Sequence, residues 1–487
     1  MLRRLQGLAM SGRISGAALR DARADLSPRI ALAGCTLAIL VGSALRVPGL
    51  ATDLWLDEIW TWARVQEIHS ALGVFTSLHD SNNHYLNSLW IYAIGDAPGW
   101  LLRLPAWIAG TATLALGAAL GWRRGRLEAV VAAWLLALSF ALIHFSSEAR
   151  GYAPLVAFAL AAQLVLERDL AAPTPRRAAL FASCVVAGFL SQLVFLFYWL
   201  GAIAQTLWHW RKLAKRTLAL RLASRHGPPL AALALLYAVD LRALVVGGGD
   251  PTDVPLLVAQ GVGWTLGLPI LRGLALPDAA IALGLVVAGL ASRARRGDDS
   301  WIGFALTIAL PLAVFTGLHP QMIPFRYFLI GSALALLLCA DLAAAGFRAG
   351  GWRRAVAATS LLIFALGNAS HWRAFTQLGR GGFRACVETM ARETTGDVIA
   401  VASDHDFRNR LVLAYYAREL PPGKRLVYVP HDRWSAARPE WLIRHAPARP
   451  ANPPQRLGAA GGTYRLFAEW DHAAISGFYW ALYRREP

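Results

Sequence analysis

The stretch IALAGCTLAILVGSALRVPGLATDLWLDE, residues 30–58, decides the reading. Ile30 to Val47 is an apolar run of near-spanning length, and a bilayer's hydrocarbon core needs about 20 such residues in a helix. It follows a basic segment ending at Pro28 and Arg29, and no small-residue cleavage motif lies behind it. It therefore reads as a first transmembrane helix and not as a removed signal peptide. What comes next is unlike a simple helix end: Asp53, Asp57 and Glu58 stand among Trp55, Trp60 and Trp62.

Working outward, apolar runs recur at 101–121, 127–145, 152–167, 178–194, 196–209, 228–244, 274–291, 300–317, 326–346 and 353–369. With only 16% charged residues and 56% hydrophobic over 487 positions, this is no ordinary soluble globule, for which about 25% charged is usual. The formal charge of +18 sits in short clusters between the runs, not along one face, so it marks topology and gives no ground for a nucleic-acid partner. Arg3 to Arg29 precede the first run, and basic clusters follow the second, fourth, sixth, eighth and tenth. Every second connection being basic predicts about eleven spans, residues 1–29 cytoplasmic and the C-terminus on the other side. Residues 254–269 are ambiguous and count as a possible re-entrant helix, while Tyr85 to Ile94 is too short to span and reads as an interfacial helix.

From residue 370 the composition changes. Strand-like runs at Asp397 to Ser403, Arg425 to Pro430 and Tyr464 to Trp470 alternate with helical patterns at Phe383 to Glu393 and Phe407 to Glu419. The expected fold is a polytopic α-helical membrane protein (membrane domain 30–369, first outer loop 48–100). A small extracytoplasmic α/β domain occupies 370–487. The four cysteines show no CxxC or His/Cys ligand spacing, which argues against a disulfide framework or structural zinc.

By the same alternation, four polar constellations fall on the outer side. The Asp57-Glu58 pair among tryptophans suits a general base or a metal ligand, although interfacial aromatics and solvated loop acids are the ordinary reading. Asp80-Ser-Asn-Asn83-His84-Tyr-Leu-Asn87 is either a capped turn or a polar site with a group that titrates near neutrality. His144-Phe-Ser-Ser-Glu148-Ala-Arg150-Gly-Tyr152 fills a very short turn, and snorkelling competes with function there. His319-Pro-Gln-Met-Ile-Pro-Phe-Arg326-Tyr327 puts a guanidinium at a helix start, against the helix dipole and suited to a phosphate.

Taken in order, these segments resemble the GT-C superfamily of membrane glycosyltransferases, in the branch of the protein O-mannosyltransferases and the bacterial lipid A aminoarabinose transferase. Asp57-Glu58, Asn82-Asn83-His84, Leu102-Arg103-Leu104-Pro105, Ser146-Ser147-Glu148-Ala149-Arg150-Gly151-Tyr152 and Arg326-Tyr327 carry the likeness over about residues 30 to 370. The branch often has His-Pro-Pro where this chain has His84-Tyr85-Leu86, and a tyrosine where it has Phe145. The resemblance implies transfer, with inversion, of a sugar from a polyprenyl-phosphate donor to a lipid, glycan or protein acceptor on the outer face of a bacterial inner membrane. It gives Asp57 the base role. Glu58, His84, Asn83, Tyr152 and Glu148 would orient substrate, and Arg326, Arg150 and Arg103, with His319 and Tyr327 beside them, would meet the departing phosphate. No cofactor is required; a divalent cation is an option, with Asp57, His84 and Glu148 as candidate ligands. Membrane lipids are the other expected partners. A transporter or flippase of a lipid-linked glycan is the competing reading, but transporters keep ionisable groups inside spans, and here the acids gather in outer loops.

Overall fold

The computed structural model describes residues 25–245, 247–248, 251–318, 320–459 and 461–487. His319, Gly249, Asp250 and the basic residues from Arg3 to Arg23 lie outside the described residues. Two compact units emerge: one from Met1–Val47, Phe75–Trp90 and Arg103–Ser370, the other from Pro48–Val74, Ile91–Leu102 and His371–Pro487. The loop read as 48–100 is thus divided between the units.

The first unit is helical. Its main elements are α1 (Pro28–Arg46), α3 (Tyr85–Ile94, of which the residues through Trp90 belong here), α4 (Leu104–Trp122), α5 (Arg126–Leu138), α6 (Phe140–Phe145), α7 (Tyr152–Ala171), α8 (Pro175–Ser191), α9 (Phe195–His209), α10 (Lys215–Val239), α11 (Val254–Leu266), α12 (Ala275–Arg295), α13 (Ser300–Leu318), α14 (Leu329–Ala349) and α15 (Gly351–Leu378, through Ser370); α2 (Leu56–Gln66) belongs to the second unit. Local chemistry sets several starts: Ser27 Oγ accepts from Ile30 N at 3.3 Å ahead of Pro28, and Thr174 Oγ1 from Arg177 N at 3.2 Å ahead of Pro175. Each of the eleven apolar runs lies on one or two of these helices. Among the described residues, six segments are long and apolar enough to cross a membrane: Pro28–Ala51, Leu104–Trp122, Arg272–Arg295, Ser300–Leu318, Phe325–Ala349 and Gly351–Glu393. The chain is an integral membrane protein. The ambiguous stretch near 254–269 is α11, an apolar helix of 13 residues and too short to span alone.

Close crossings use small residues, as lipid-embedded helices do. A Cβ on Gly201 of α9 would come 2.6 Å from the carbonyl oxygen of Gly303 on α13, so the two backbones approach this closely because position 201 is glycine. Two buried ion pairs lie inside this unit. Arg225 makes a bidentate pair with Asp169 (2.5 and 3.1 Å), and Arg293 Nε reaches Asp341 Oδ2 at 2.7 Å. Their cationic and anionic groups cancel, which makes burial tolerable.

The run read as continuous over 127–145 is interrupted. Ser139 adopts ψ 116° and separates α5 from α6. The backbone groups released by the break are taken up by side chains: Phe140 N donates to Asn368 Oδ1 (2.7 Å), while Leu136 O accepts from Arg46 Nη2 (3.1 Å) and Ala137 O from Arg46 Nη1 (3.3 Å). Arg46 also donates to Gly42 O and Ser146 Oγ, and its side chain is fully buried. A buried guanidinium with carbonyl acceptors on several sides satisfies the rule that buried polar groups are bonded.

In the second unit, a six-stranded sheet runs in the order β2-β1-β3-β6-β5-β4. β1 (Val398–Ser403) is parallel to β2 (Arg425–Tyr428) and β3 (Trp441–Ala446), whereas β6 (Tyr479–Arg485), β5 (Gly462–Trp470) and β4 (Arg456–Ala459) join antiparallel. Three of these strands match the expected runs, and α16 (Phe383–Glu393) and α17 (Asp406–Tyr416) match the expected helices. The same unit contains α2 (Leu56–Gln66), which packs on α17. Trp62 meets Tyr415 edge-on at 5.1 Å, and Tyr416 Oη donates to Leu54 O at 3.0 Å. Asp53 is engaged here too, accepting from Arg384 N at 2.9 Å.

Candidate active site

In the helical unit, the short turn between α6 and α7 is the centre of a buried polar cluster. Glu148 is fully buried, with Oε1 3.1 Å from His144 Nε2 one helical turn before it. Arg150, 2% exposed, donates through Nη2 to Asn82 Oδ1 at 2.5 Å and to His84 Nε2 at 3.1 Å. Since Nε2 accepts, the His84 proton sits on Nδ1, which donates to Ser191 O at 3.0 Å. Gly151 makes that contact possible, because a Cβ there would lie 1.8 Å from the same Ser191 oxygen and 2.8 Å from His84 Nδ1.

Burial, then the Arg150 cation, hold the His84 imidazole well below its ordinary value; Arg326 pushes the same way, and the Ser191 carbonyl and Glu148 oppose. His84 is therefore a neutral, oriented imidazole rather than the titrating group its sequence context suggested. Tyr152, 1% exposed, is the hub. His84 packs edge-on to its ring at 5.0 Å, and the guanidinium carbons of Arg150 and Arg326 lie 5.0 and 5.8 Å from its centroid. Two cations on one aromatic ring, inside a bundle, form a place for a polyanionic group.

The structure thus brings together His84, Glu148, Arg150, Tyr152 and Arg326. The other candidates are placed differently. Asn83 is occupied in its own turn, donating to Leu78 O (2.9 Å) and accepting from Ser88 Oγ (2.8 Å). Arg103 is buried immediately before α4, and Tyr327 stacks on Phe315 at 5.5 Å. Asp57 and Glu58 open α2 in the second unit. Glu58 is 1% exposed and its Oε2 accepts from Trp55 N at 3.3 Å, so this carboxylate caps its own helix. Asp57 is partly exposed in the first turn, where the helix dipole favours a negative charge.

Among the described residues no three His, Cys, Asp or Glu side chains gather as metal ligands. At His84, Nε2 is engaged by Arg150 and Nδ1 by the Ser191 carbonyl.

Sequence reasoning passed over one neighbouring network. Asp240, fully buried, accepts from Tyr85 Oη and stands 2.5 Å from His79 Nδ1, fixing the residue that follows His84. Its signal in the sequence was an acid beside an apolar run with no local partner.

No protein-family model matches the chain, and no curated protein matches it. Solved structures do. ArnT from Cupriavidus metallidurans in the apo state superposes with a TM-score of 0.50 and 13% identity, over 84% of this chain and 92% of that one. The chain has the GT-C fold. Two further GT-C structures are similar: the same ArnT bound to undecaprenyl phosphate (TM-score 0.48, 12% identity, 94% and 98% covered) and the Archaeoglobus fulgidus oligosaccharyltransferase in complex with zinc and sulfate (0.46, 11%, 84% and 67%). In this chain the Arg150–Tyr152–Arg326 group, with Arg150 and Tyr152 buried and Arg326 partly so, lies in the helical unit, and the partly exposed acid Asp57 in the other.

Proposed function

We propose that this protein is an inverting glycosyltransferase that moves a sugar from a polyprenyl-phosphate donor to an acceptor at the outer face of a bacterial inner membrane. The observation that carries the reading is the pair of guanidiniums, Arg150 and Arg326, held on Tyr152 beside a neutral His84. A lipid-linked donor arrives through the bilayer, and its phosphate needs fixed positive charge in a low-dielectric setting, where such charge acts most strongly. The GT-C fold supports the same class.

In the proposed step Asp57 takes the proton of the acceptor O–H or N–H. The acceptor atom attacks the anomeric carbon from the side opposite the carrier. The bond from that carbon to the phosphate oxygen breaks, and its electron pair leaves with the polyprenyl phosphate. Arg150 and Arg326 neutralise the charge gathering there. His84 and Asn82 hold Arg150 in place, and Glu148 orients His144. Asp57 has its role from its place in the motif and its exposure on α2; Glu58 is assigned to capping. The step routes nothing through a cation. Eleven spans, a cytoplasmic N-terminus and an extracytoplasmic 370–487 belong to the same proposal.

The test uses the purified chain in detergent with a panel of polyprenyl-phosphate sugars, following release of the sugar. Consumption of one donor by wild type, abolished in Asp57→Asn and in Arg150→Ala with the melting temperature retained, supports the assignment. Turnover that survives both substitutions removes these residues from the chemistry. A donor moved across vesicle membranes without cleavage would make the protein a flippase.

A further inference from the structure

The second unit carries a cluster of polar side chains at the carboxyl ends of β1 and β3 that the proposed chemistry does not use. β1 and β3 are parallel neighbours, yet the chain leaves β1 toward β2 on one side and β3 toward the opposite edge of the sheet. Such a switch point opens a crevice at the carboxyl ends of the two strands, where open α/β sheets bind ligands. Asp404 and His405 follow β1, Arg408 lies in the first turn of α17, and His445 is near the end of β3. Asp404 Oδ1 accepts from His445 Nδ1 at 2.7 Å and from Asn409 Nδ2 at 3.3 Å, so His445 turns Nε2 to Arg408 Nη1 at 3.3 Å. The His405 ring stands edge-on to His445 at 5.6 Å. Phe478 closes the group, 5.5 Å from both the His445 ring and the Arg408 guanidinium. It is delivered by a bend in which Ile475 takes φ 93° and Gly477 φ 120°, an unusual conformation for a β-branched residue.

Next to this crevice is an aromatic pair. Phe407, 53% exposed, meets Trp60 edge-on at 5.4 Å. Trp60 comes three residues after Asp57 on α2, a spacing that puts both on one helix face. An exposed large apolar ring beside planar hydrogen-bonding side chains matches one ligand chemistry closely. A pyranose has a face of C–H groups for an aromatic ring and a rim of hydroxyls for carboxylate, imidazole and guanidinium groups.

We propose that Trp60, Phe407 and the Asp404–His405–Arg408–His445 crevice form the acceptor subsite, and that the acceptor presents a saccharide ring to it. The proposal rests on Asp57 as the base: a ring stacked at Trp60 brings a hydroxyl to the helix face that holds Asp57. The polar crevice favours a sugar over an acyl chain or an apolar peptide.

The test is saturation-transfer NMR on the full chain in nanodiscs with no donor present, using methyl α-mannoside, N-acetylglucosamine and maltotriose as probes. Transfer from wild type to one of them is expected. It should be lost in Phe407→Ala and weakened about tenfold in Arg408→Gln, while Phe467→Ala, which removes an exposed ring from β5, leaves it intact. Absence of transfer to all three probes overturns the proposal, as does a signal that survives Phe407→Ala. A fluorophore at position 407 quenched by brominated lipid but not by aqueous iodide makes the pair a membrane anchor, which also overturns it. Because no donor is present, failure here is separable from failure of the transferase reading, which would show as a donor left uncleaved.

Discussion

Glu148 and Asp57 are both acids set among aromatic rings, and the protein treats them in opposite ways. Glu148 is sealed in the helical unit against His144, in a turn where Ser146, Ser147 and Arg150 are also buried. Asp57 stands partly exposed at the start of an eleven-residue helix whose capping is done by its neighbour Glu58. A sealed acid has its partners chosen by packing and serves to hold other groups in register. An open acid on a rigid helix can meet a group brought from outside. Under the proposed function, the contrast gives a structural part to Glu148 and proton transfer to Asp57.

Asp57→Asn should have the largest effect: turnover falls by ~10²–10⁴-fold, the usual worth of a general base, with the melting curve unmoved. An equal loss in Glu148→Gln, again without destabilisation, would break the contrast. Second comes a purely structural pair in the sealed region. Arg293→Leu strands the Asp341 carboxylate, and the expected cost is ~3–5 kcal/mol of stability, read by thermal melting in detergent, with turnover per folded molecule retained. Third, Arg150→Gln should lower turnover by ~10²–10³-fold, the range for losing one preorganised charge-stabilising group; the loss should appear in kcat more than in the donor KM.

The fourth effect is smaller and depends on pH. The folded state holds His84 below its ordinary value, whereas the unfolded chain takes up a proton near pH ~6.5. Its stabilising contribution is therefore complete above that pH and is lost as the pH falls from there toward the lowered folded value. Melting followed from pH 7.5 to 5 should fall more steeply for wild type than for His84→Gln. The smallest effect lies on the open side: Arg64 and Glu67 pair at the end of α2, with 61% of the Glu67 side chain exposed. Glu67→Gln should change stability by only ~0.2–1 kcal/mol.

The six membrane-length apolar helices were legible because lipid asks mainly for length and apolar character, and both are written locally from Ile30 onward. The turn holding Glu148, Arg150 and Tyr152 was legible because charges packed into so short a connection have few places to go. What escaped was long-range. Asp240 bonds to His79 and Tyr85 far back in the chain, and no periodicity announces such a triad. β3 and β6 escaped because Arg444, Arg484 and Arg485 interrupt their apolar pattern, although both strands are buried through much of their length. The break at Ser139 escaped for a related reason. Neither Pro nor Gly marks it; Arg46 and Asn368, distant in sequence, supply the bonds that permit it.

That break also constrains how the protein can change over generations. A descendant that straightens the helix through Ser139 returns the Phe140 amide to the Leu136 carbonyl. Asn368 Oδ1 would then lose its donor and the Arg46 guanidinium its acceptors, inside the bundle. Replacing Arg46 alone leaves carbonyls bare, and replacing Asn368 alone leaves an amide bare. The three positions form one heritable unit, so homologues should keep all three or exchange them as a set, leaving a covariation between residues 46, 139 and 368.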